Sequence, residues 1–324
     1  MKTKITEMLG IKYPILCGGM LWLSKPELCA AISNAGGLGN ITAANYDSGD
    51  ELRAAIRQCR ELTDKPFGVN VTLLPSLRIT PEKYDAYFQV CAEEKVAAME
   101  IGGKPATKYL PALHAAGVKV FHKVGAVRHA VNVESLGYDG VYAAGFEEGG
   151  HPLDDDVTTM VLTPRIAESV NIPVVTVGGV ADGRGLAAAL ALGAEGVMMA
   201  TRFLATTEAR QVLHENFQRE LIARQENETT LITKSLNLQG RALKNKLVKE
   251  ILDIESEKAD LERLYPLITG QRAKAAYQTG EVEEMTFMVG QTIGLIKEVK
   301  SCRELLEQMT EEAGEILRRQ SARF

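Results

Sequence analysis

Apolar runs of four to six residues recur through the first two-thirds of the chain, at 14–17, 38–42, 67–72, 97–101, 118–123, 140–144, 173–177 and 196–200. Between them lie segments at 25–35, 49–62, 81–94, 107–116, 126–136, 163–170 and 183–192, most with apolar residues at i, i+3 and i+4, the spacing of an amphipathic helix. Runs such as Val141-Tyr142-Ala143-Ala144 and Val174-Val175-Thr176-Val177 lack apolar/polar alternation. A strand apolar on both faces must be covered on both faces, which is the signature of a parallel sheet. Eight such strands with helices between them predict an α/β fold of the (β/α)8 TIM-barrel type. The rival is a doubly wound open sheet, which needs a nucleotide loop after an early strand. No G-x-G-x-x-G with a suitably spaced acidic residue is present there. Glycine pairs instead follow the first run (Gly18-Gly19) and the seventh (Gly178-Gly179), and a small-residue turn, Ala200-Thr201, follows the eighth. Turns after strands seven and eight are where barrels commonly hold phosphate.

The character of the chain changes near Arg210. From 211 to 280 charged residues are frequent and no strand candidate stands out; helices are predicted at 214–224, 243–257, 261–267 and 270–279, with a polar link at 225–230. A closing helix is expected at 301–319. The expected organisation is a barrel over 1–210, a helical cap or second domain over 211–290, and a C-terminal segment, 291–324, that packs back on the barrel. The middle piece reads either as a cap over the C-terminal face of the barrel or as further helices packed around it. A net charge of −5, with Lys and Arg scattered among Asp and Glu, argues against nucleic acid or an anionic membrane as partner. No apolar run is long enough to span a bilayer, and the first residues lack the apolar core of a signal peptide, so a cytoplasmic location is expected. The five cysteines form no C-x-x-C pair and read as reduced core thiols.

The sixth run leads into the loop 145–156, Gly-Phe-Glu-Glu-Gly-Gly-His-Pro-Leu-Asp-Asp-Asp. It sets His151 between the pair Gly149-Gly150 and Pro152. A histidine on a loop at the end of a buried strand is held by the scaffold yet exposed, which suits catalysis; a solvent-facing turn histidine is the other reading. At Gly178-Gly179, backbone N–H groups and the following helix N-terminus suit a phosphate. Thr201 supplies a hydroxyl, and Arg202 either adds charge or braces the turn. Ordinary βα-turn chemistry would use the same glycines. In the first turn the glycines let the backbone lie against a flat ring, which Met20 and Trp22 either wall or back by capping the barrel core. Asn70, near the end of the third run, could bond a ring edge with donors and acceptors, or the backbone. Lys123, ending the fifth run, either faces an electron-rich ring or phosphate, or snorkels to solvent. His122 falls on the opposite face, packed between strand and helix. His114, His129 and His214 fall on predicted helices at the surface. No spacing resembles a metal site, and the acidic run 154–156 reads as a helix N-cap or a solvated loop. These turns converge on a flat, phosphate-bearing cofactor at the C-terminal mouth of a barrel, with His151 over it; flavin mononucleotide (FMN) has that shape.

The combination resembles the nitronate monooxygenase-like flavoproteins, also called 2-nitropropane dioxygenases. It is carried by the turn 14–20, Asn34-Ala35-Gly36-Gly37-Leu38, the segment 63–70 ending Phe67-Gly68-Val69-Asn70, His122-Lys123, the His151 loop, Gly178-Gly179-Val180-Ala181-Asp182-Gly183, Thr201-Arg202-Phe203 and Gly290-Gln291. Within that group the chain looks most like the FMN-dependent NADH:quinone reductase type, on Asn70-Val71-Thr72-Leu73-Leu74-Pro75, Ala126-Val127-Arg128-His129-Ala130 and Gly150-His151-Pro152, and it is also similar to the FMN-dependent enoyl-(acyl carrier protein) reductases. The resemblance implies a TIM barrel with bound FMN. The cofactor-binding positions would be Gly18, Gly19, Met20, Asn70, Lys123, Gly149, Gly150, Gly178, Gly179, Ala200 and Thr201, with His151 and Lys123 catalytic. It implies an oxidoreductase in which NAD(P)H reduces flavin N5 and the flavin reduces a quinone or conjugated enone, His151 hydrogen-bonding or protonating the acceptor and Lys123 stabilising negative charge on the reduced ring. The alternatives are a nitronate monooxygenase using O2, an enoyl-thioester reductase, and a non-enzymatic flavin-binding protein. The expected partner is a small-molecule electron acceptor, and a homodimer is compatible with the family. The chain departs from its relatives at Leu153, which alters the loop's path, at Val177, at Ala200, which slightly crowds the phosphate site, and at Leu21, which bears on the substrate and nicotinamide contacts more than on FMN binding.

Overall fold

The computed structural model describes all residues except 75–78, 154, 258–260 and 324; Pro75 of the third-strand motif and Asp154 of the acidic run lie outside the described residues. Eight parallel strands form one sheet: β1 (Ile15–Cys17), β2 (Gly39–Thr42), β3 (Phe67–Leu73), β4 (Ala98–Gly103), β5 (Lys119–Val124), β6 (Gly140–Ala144), β7 (Val174–Val177) and β8 (Gly196–Met199). From β2 to β8 each strand pairs with the next, β8 pairs with β1, and a bridge between Leu16 and Leu38 joins β1 to β2 and closes the ring. The fold is therefore the (β/α)8 barrel that the alternation predicts.

The unbroken apolar character of the strands has a direct cause. Along β6, Tyr142 and Ala144 point into the barrel beside Leu16, Leu38, Ala98, Phe121, Val175, Val177 and Met198. Val141 and Ala143 point outward into the cluster that holds Val133, Leu162 and Ile166 of the surrounding helices. Successive strand residues alternate faces, and here both faces are dry. A short helix, Lys4–Leu9, begins with a capping box at Thr3 and buries Ile5 and Leu9 in the interior cluster. Six residues give too short a periodic window for this helix to be legible in sequence.

The region after the barrel corrects one expectation. It holds an antiparallel hairpin, β9 (Thr229–Ile232) and β10 (Gly240–Leu243), where a polar link and the start of a helix were predicted. The helix that follows is Lys246–Glu257, starting later than position 243. A two-stranded ribbon has little stability of its own. This one buries Ile232 and Ala242 against Leu247, Val248, Ile251 and Leu264, so its stability comes from packing that a four-residue window does not display. Helices Glu215–Ala223, Leu261–Ile268 and Gly270–Thr279 lie where expected. The last helix, Cys302–Ser321, starts with a capping box at Ser301 and packs on the helix Gly183–Ala191, where Glu312 accepts from the Gly183 N–H at 2.9 Å. Among the described residues no helix is long and apolar enough to cross a membrane.

Candidate active site

One step beyond the apolar interior layer, several strands present a polar group at the C-terminal mouth. On a period of two, Leu38 leads to Asn40, Ala98 to Glu100 and Phe121 to Lys123. The register sets Asn70 opposite Glu100. Asn40, Asn70, Glu100 and Lys123 thus make a polar wall from β2 to β5, while β6 to β8 contribute small or apolar residues and the glycine turns.

Within this wall Glu100, Asn40 and Lys123 each make a hydrogen bond to the protein. The Gly19 N–H donates to Glu100 Oε2 at 2.8 Å, and the Asn40 amide donates to the Cys17 carbonyl at 2.6 Å. Burial pushes the Glu100 carboxyl up to about 7, against the opposing pull of the Gly19 N–H and Lys123. Lys123 does not snorkel to solvent. Its Nζ donates to Glu148 Oε1 at 2.9 Å and to the His151 carbonyl at 3.1 Å. Glu148 is itself buried, and burial raises its carboxyl although Lys123 counters the effect. The Lys123 charge is therefore shared with Glu148 before any ligand arrives. His122 points outward as predicted, edge-on to Tyr138 with ring centroids 5.3 Å apart.

The His151 loop is fixed from three sides. Lys123 holds the His151 carbonyl from β5. Arg241, on β10, exchanges backbone hydrogen bonds with Gly150, donates to the Phe146 carbonyl at 3.0 Å and lies 4.4 Å over the Phe146 ring. Gln239 donates to the carbonyls of Pro152 and Leu153 at 3.1 and 3.0 Å. The His151 side chain is exposed to solvent at the open cavity, and the protein around it together with the Lys123 charge pushes the imidazole down to about 4. It is a neutral hydrogen-bonding group at neutral pH.

The glycine turns pack backbone on backbone. Gly178 and Gly179 have φ of +90° and +73°, a region that side chains with a Cβ avoid. A Cβ on Gly149 would lie 2.5 Å from the Gly290 nitrogen, and one on Gly178 would lie 2.9 Å from the Glu148 nitrogen. Thr201 Oγ1 accepts from the Gly290 N–H at 3.0 Å. Arg202 turns inward, is buried and donates to the Ala205 carbonyl, so it braces the turn and offers no charge to a phosphate. Glu147 is tied to Thr159 by hydrogen bonds from both its N–H and its hydroxyl.

Two cavities adjoin here. The inner one, about 90 Å³, is lined by Gly18, Gly19, Glu100, Lys123, Gly178 and Thr201 among others, and Lys123 is the only basic side chain in its lining. The outer one, about 390 Å³, is walled by Met20, Trp22, Asn70 and His151 from the barrel and by Ile232, Leu238, Tyr277 and Met288 from the cap. Gly19, Gly149, Ala200 and Thr201 line both. The expected cofactor-binding and catalytic positions all line these cavities except Gly179, which shapes the turn without lining either. The residues fit FMN: a glycine turn beside a threonine hydroxyl suits a phosphate, and the polar wall offers donors and acceptors to a ring edge. Among the described residues no group of His, Cys, Asp and Glu is arranged for a metal ion. Glu100, Glu148, Gln239 and Arg241 escaped the sequence reading. Glu100 left a signal there, a lone carboxylate inside the apolar run 97–101; the others left none.

A barrel with a glycine-turned cavity of this kind at its C-terminal mouth defines a cofactor-using barrel enzyme. The particular kind is set by likeness: the nitronate monooxygenase family model matches residues 2–312, and the chain belongs to that family, whose members are FMN-dependent oxidoreductases. It is 33% identical to the (3aS,4S,5R,7aS)-5-hydroxy-7a-methyl-1-oxo-octahydro-1H-indene-4-carboxyl-CoA dehydrogenase of Rhodococcus jostii, over 97% of this chain and 96% of the relative. It is 30% identical to a probable nitronate monooxygenase of Staphylococcus saprophyticus, over 98% of this chain and 99% of that one. Among solved structures, FabK from Thermotoga maritima superposes with a TM-score of 0.92 and 38% identity, covering 100% of both chains.

Proposed function

We propose that this protein binds FMN at the barrel mouth and uses NAD(P)H to reduce a bulky, largely apolar conjugated acceptor, a quinone or an enone. When bound, the flavin accepts hydride at N5 and passes it on. The chain's own residues hold the ring against Gly19 and Asn70, keep Lys123 and Glu148 at its polar edge, exclude water under the cap, and present His151 to the acceptor oxygen as a hydrogen-bond donor. The observation that carries this reading is the outer cavity. At about 390 Å³ it has room for a flavin ring, and beyond the positions expected to hold that ring its walls are mainly apolar: Trp22, Leu204, Ile232, Leu238, Tyr277 and Met288.

The test is an anaerobic addition of NADH or NADPH to the flavin-loaded protein, followed by a panel of acceptors. Bleaching of the flavin absorbance, then its recovery on adding quinone or enone, is expected. Oxygen uptake with propyl nitronate and no bleaching by either nucleotide would reverse the reading in favour of a nitronate monooxygenase. A second reading, reduction of an enoyl thioester, is favoured by the full-length likeness to FabK at 38% identity, and predicts recovery with a crotonyl thioester in the same panel.

A further inference from the structure

We propose that Glu100 is the proton acceptor that keeps the flavin cavity charge-neutral on reduction, taking one proton from solvent when the ring gains a hydride. The proposal rests on the flavin reading above. Glu100 lines the inner cavity and accepts from the N–H of Gly19, the glycine against which the ring is expected to lie. Its hydrogen-bond donors are neutral: the Gly19 N–H at 2.8 Å, the Asn40 amide at 3.5 Å and the Asn70 side chain.

The other groups facing it are already committed. Lys123, from β5, donates to Glu148 at 2.9 Å, and this contact opposes the upward push of burial on the Glu148 carboxyl, an ion pair that Glu100 does not share. Tyr142, from β6, and Cys17, from β1, are buried and pushed well above their ordinary values, so both keep their protons. Asn40 and Asn70, from β2 and β3, do not titrate. His151 is neutral above about 4. Glu100, near 7, is the group whose proton occupancy a new charge in the cavity would change.

The step balances. A dihydronicotinamide gives the ring a hydride, two electrons and one proton, and leaves as the oxidised nicotinamide; the ring gains one negative charge. The Glu100 carboxylate combines with one solvent proton to become the acid, and the charge in the cavity is unchanged.

The experiment is an anaerobic, dye-mediated potentiometric titration of the FMN-loaded full chain from about pH 6 to 9. A two-electron couple shifts by about 30 mV per tenfold change in proton concentration for each proton taken up. The wild type is expected to fall by about 59 mV per pH unit just above neutrality, and Glu100→Gln by about 30 mV per pH unit. Glu100→Asp, which keeps a titratable group, should retain the steep slope. A shallow slope in the wild type throughout, or a steep slope that persists in E100Q, overturns the inference and leaves the flavin reading standing. Protein that takes up no FMN overturns the flavin reading and this inference with it, and is recognised from its absorbance before any potential is measured.

Discussion

At His151, the surrounding protein and the Lys123 charge push the imidazole down to about 4, although the side chain is exposed to the cavity. An imidazole with an ordinary value would change charge between pH 5 and 8. Of the two roles expected of it, hydrogen-bonding or protonating the acceptor, the lowered value favours the first. His151→Ala should keep its FMN and lose about 10²- to 10³-fold in acceptor reduction, measured by stopped-flow reoxidation of the reduced protein. In the wild type the same rate should show no histidine inflection from about pH 5 to 8, since the imidazole becomes charged only as the pH falls through about 4. An inflection near 6.5 that vanishes in the variant would return His151 to the acid role. Lys123 shows the same dependence on surroundings. Taken alone, a lysine at a strand end suggests positive charge; beside buried Glu148 it is half of a neutral pair.

At the scale of elements, the decisive piece is the β9–β10 hairpin, which sequence reasoning missed. It links the cap to the His151 loop through the backbone pair of Gly150 and Arg241 and through the Arg241 guanidinium on Phe146. Arg241→Ala leaves the Phe146 carbonyl without this donor and should destabilise the protein by about 1–3 kcal/mol in urea unfolding, with easier proteolysis of the loop 145–156. The glycine turns make a second prediction. Gly149→Ala would place a methyl 2.5 Å from the Gly290 nitrogen, with backbone on the opposing side. Overpacking of that kind costs about 1–3 kcal/mol, and purified protein should carry far less flavin per chain than the wild type. Helices and strands with a strong period were legible because their burial repeats along the chain. The hairpin was not, because its apolar residues, Ile232 and Ala242, belong to a core assembled by later helices.

For the whole molecule, the outer cavity exists only when barrel and cap come together. Trp22 in the first βα turn donates through Nε1 to the Gly270 carbonyl at 2.7 Å, and Lys274 sits 4.6 Å over its ring, so the cap is tied down at the mouth. A ligand bound between the two should stabilise both. At a free FMN concentration about 100 times its Kd the gain is about 2.7 kcal/mol. Flavin-stripped protein should therefore unfold at a lower temperature than loaded protein, with Tm rising as FMN is added back. A Tm indifferent to FMN would show that the site does not bind it.

The chain by itself determined the barrel, the glycine turns and the position of His151, because each is written in neighbouring residues: strands apolar on both faces, helices of regular spacing, glycines at strand ends. Tertiary structure alone decided the electrostatics. Gly19 and Glu100 are 81 residues apart, and Lys123 and Glu148 are 25 apart; ring closure sets each pair in contact. Contacts between distant positions leave no periodic trace, and desolvation, which moves His151 down and Glu100 up, depends on how much protein surrounds a group once the barrel and cap have closed.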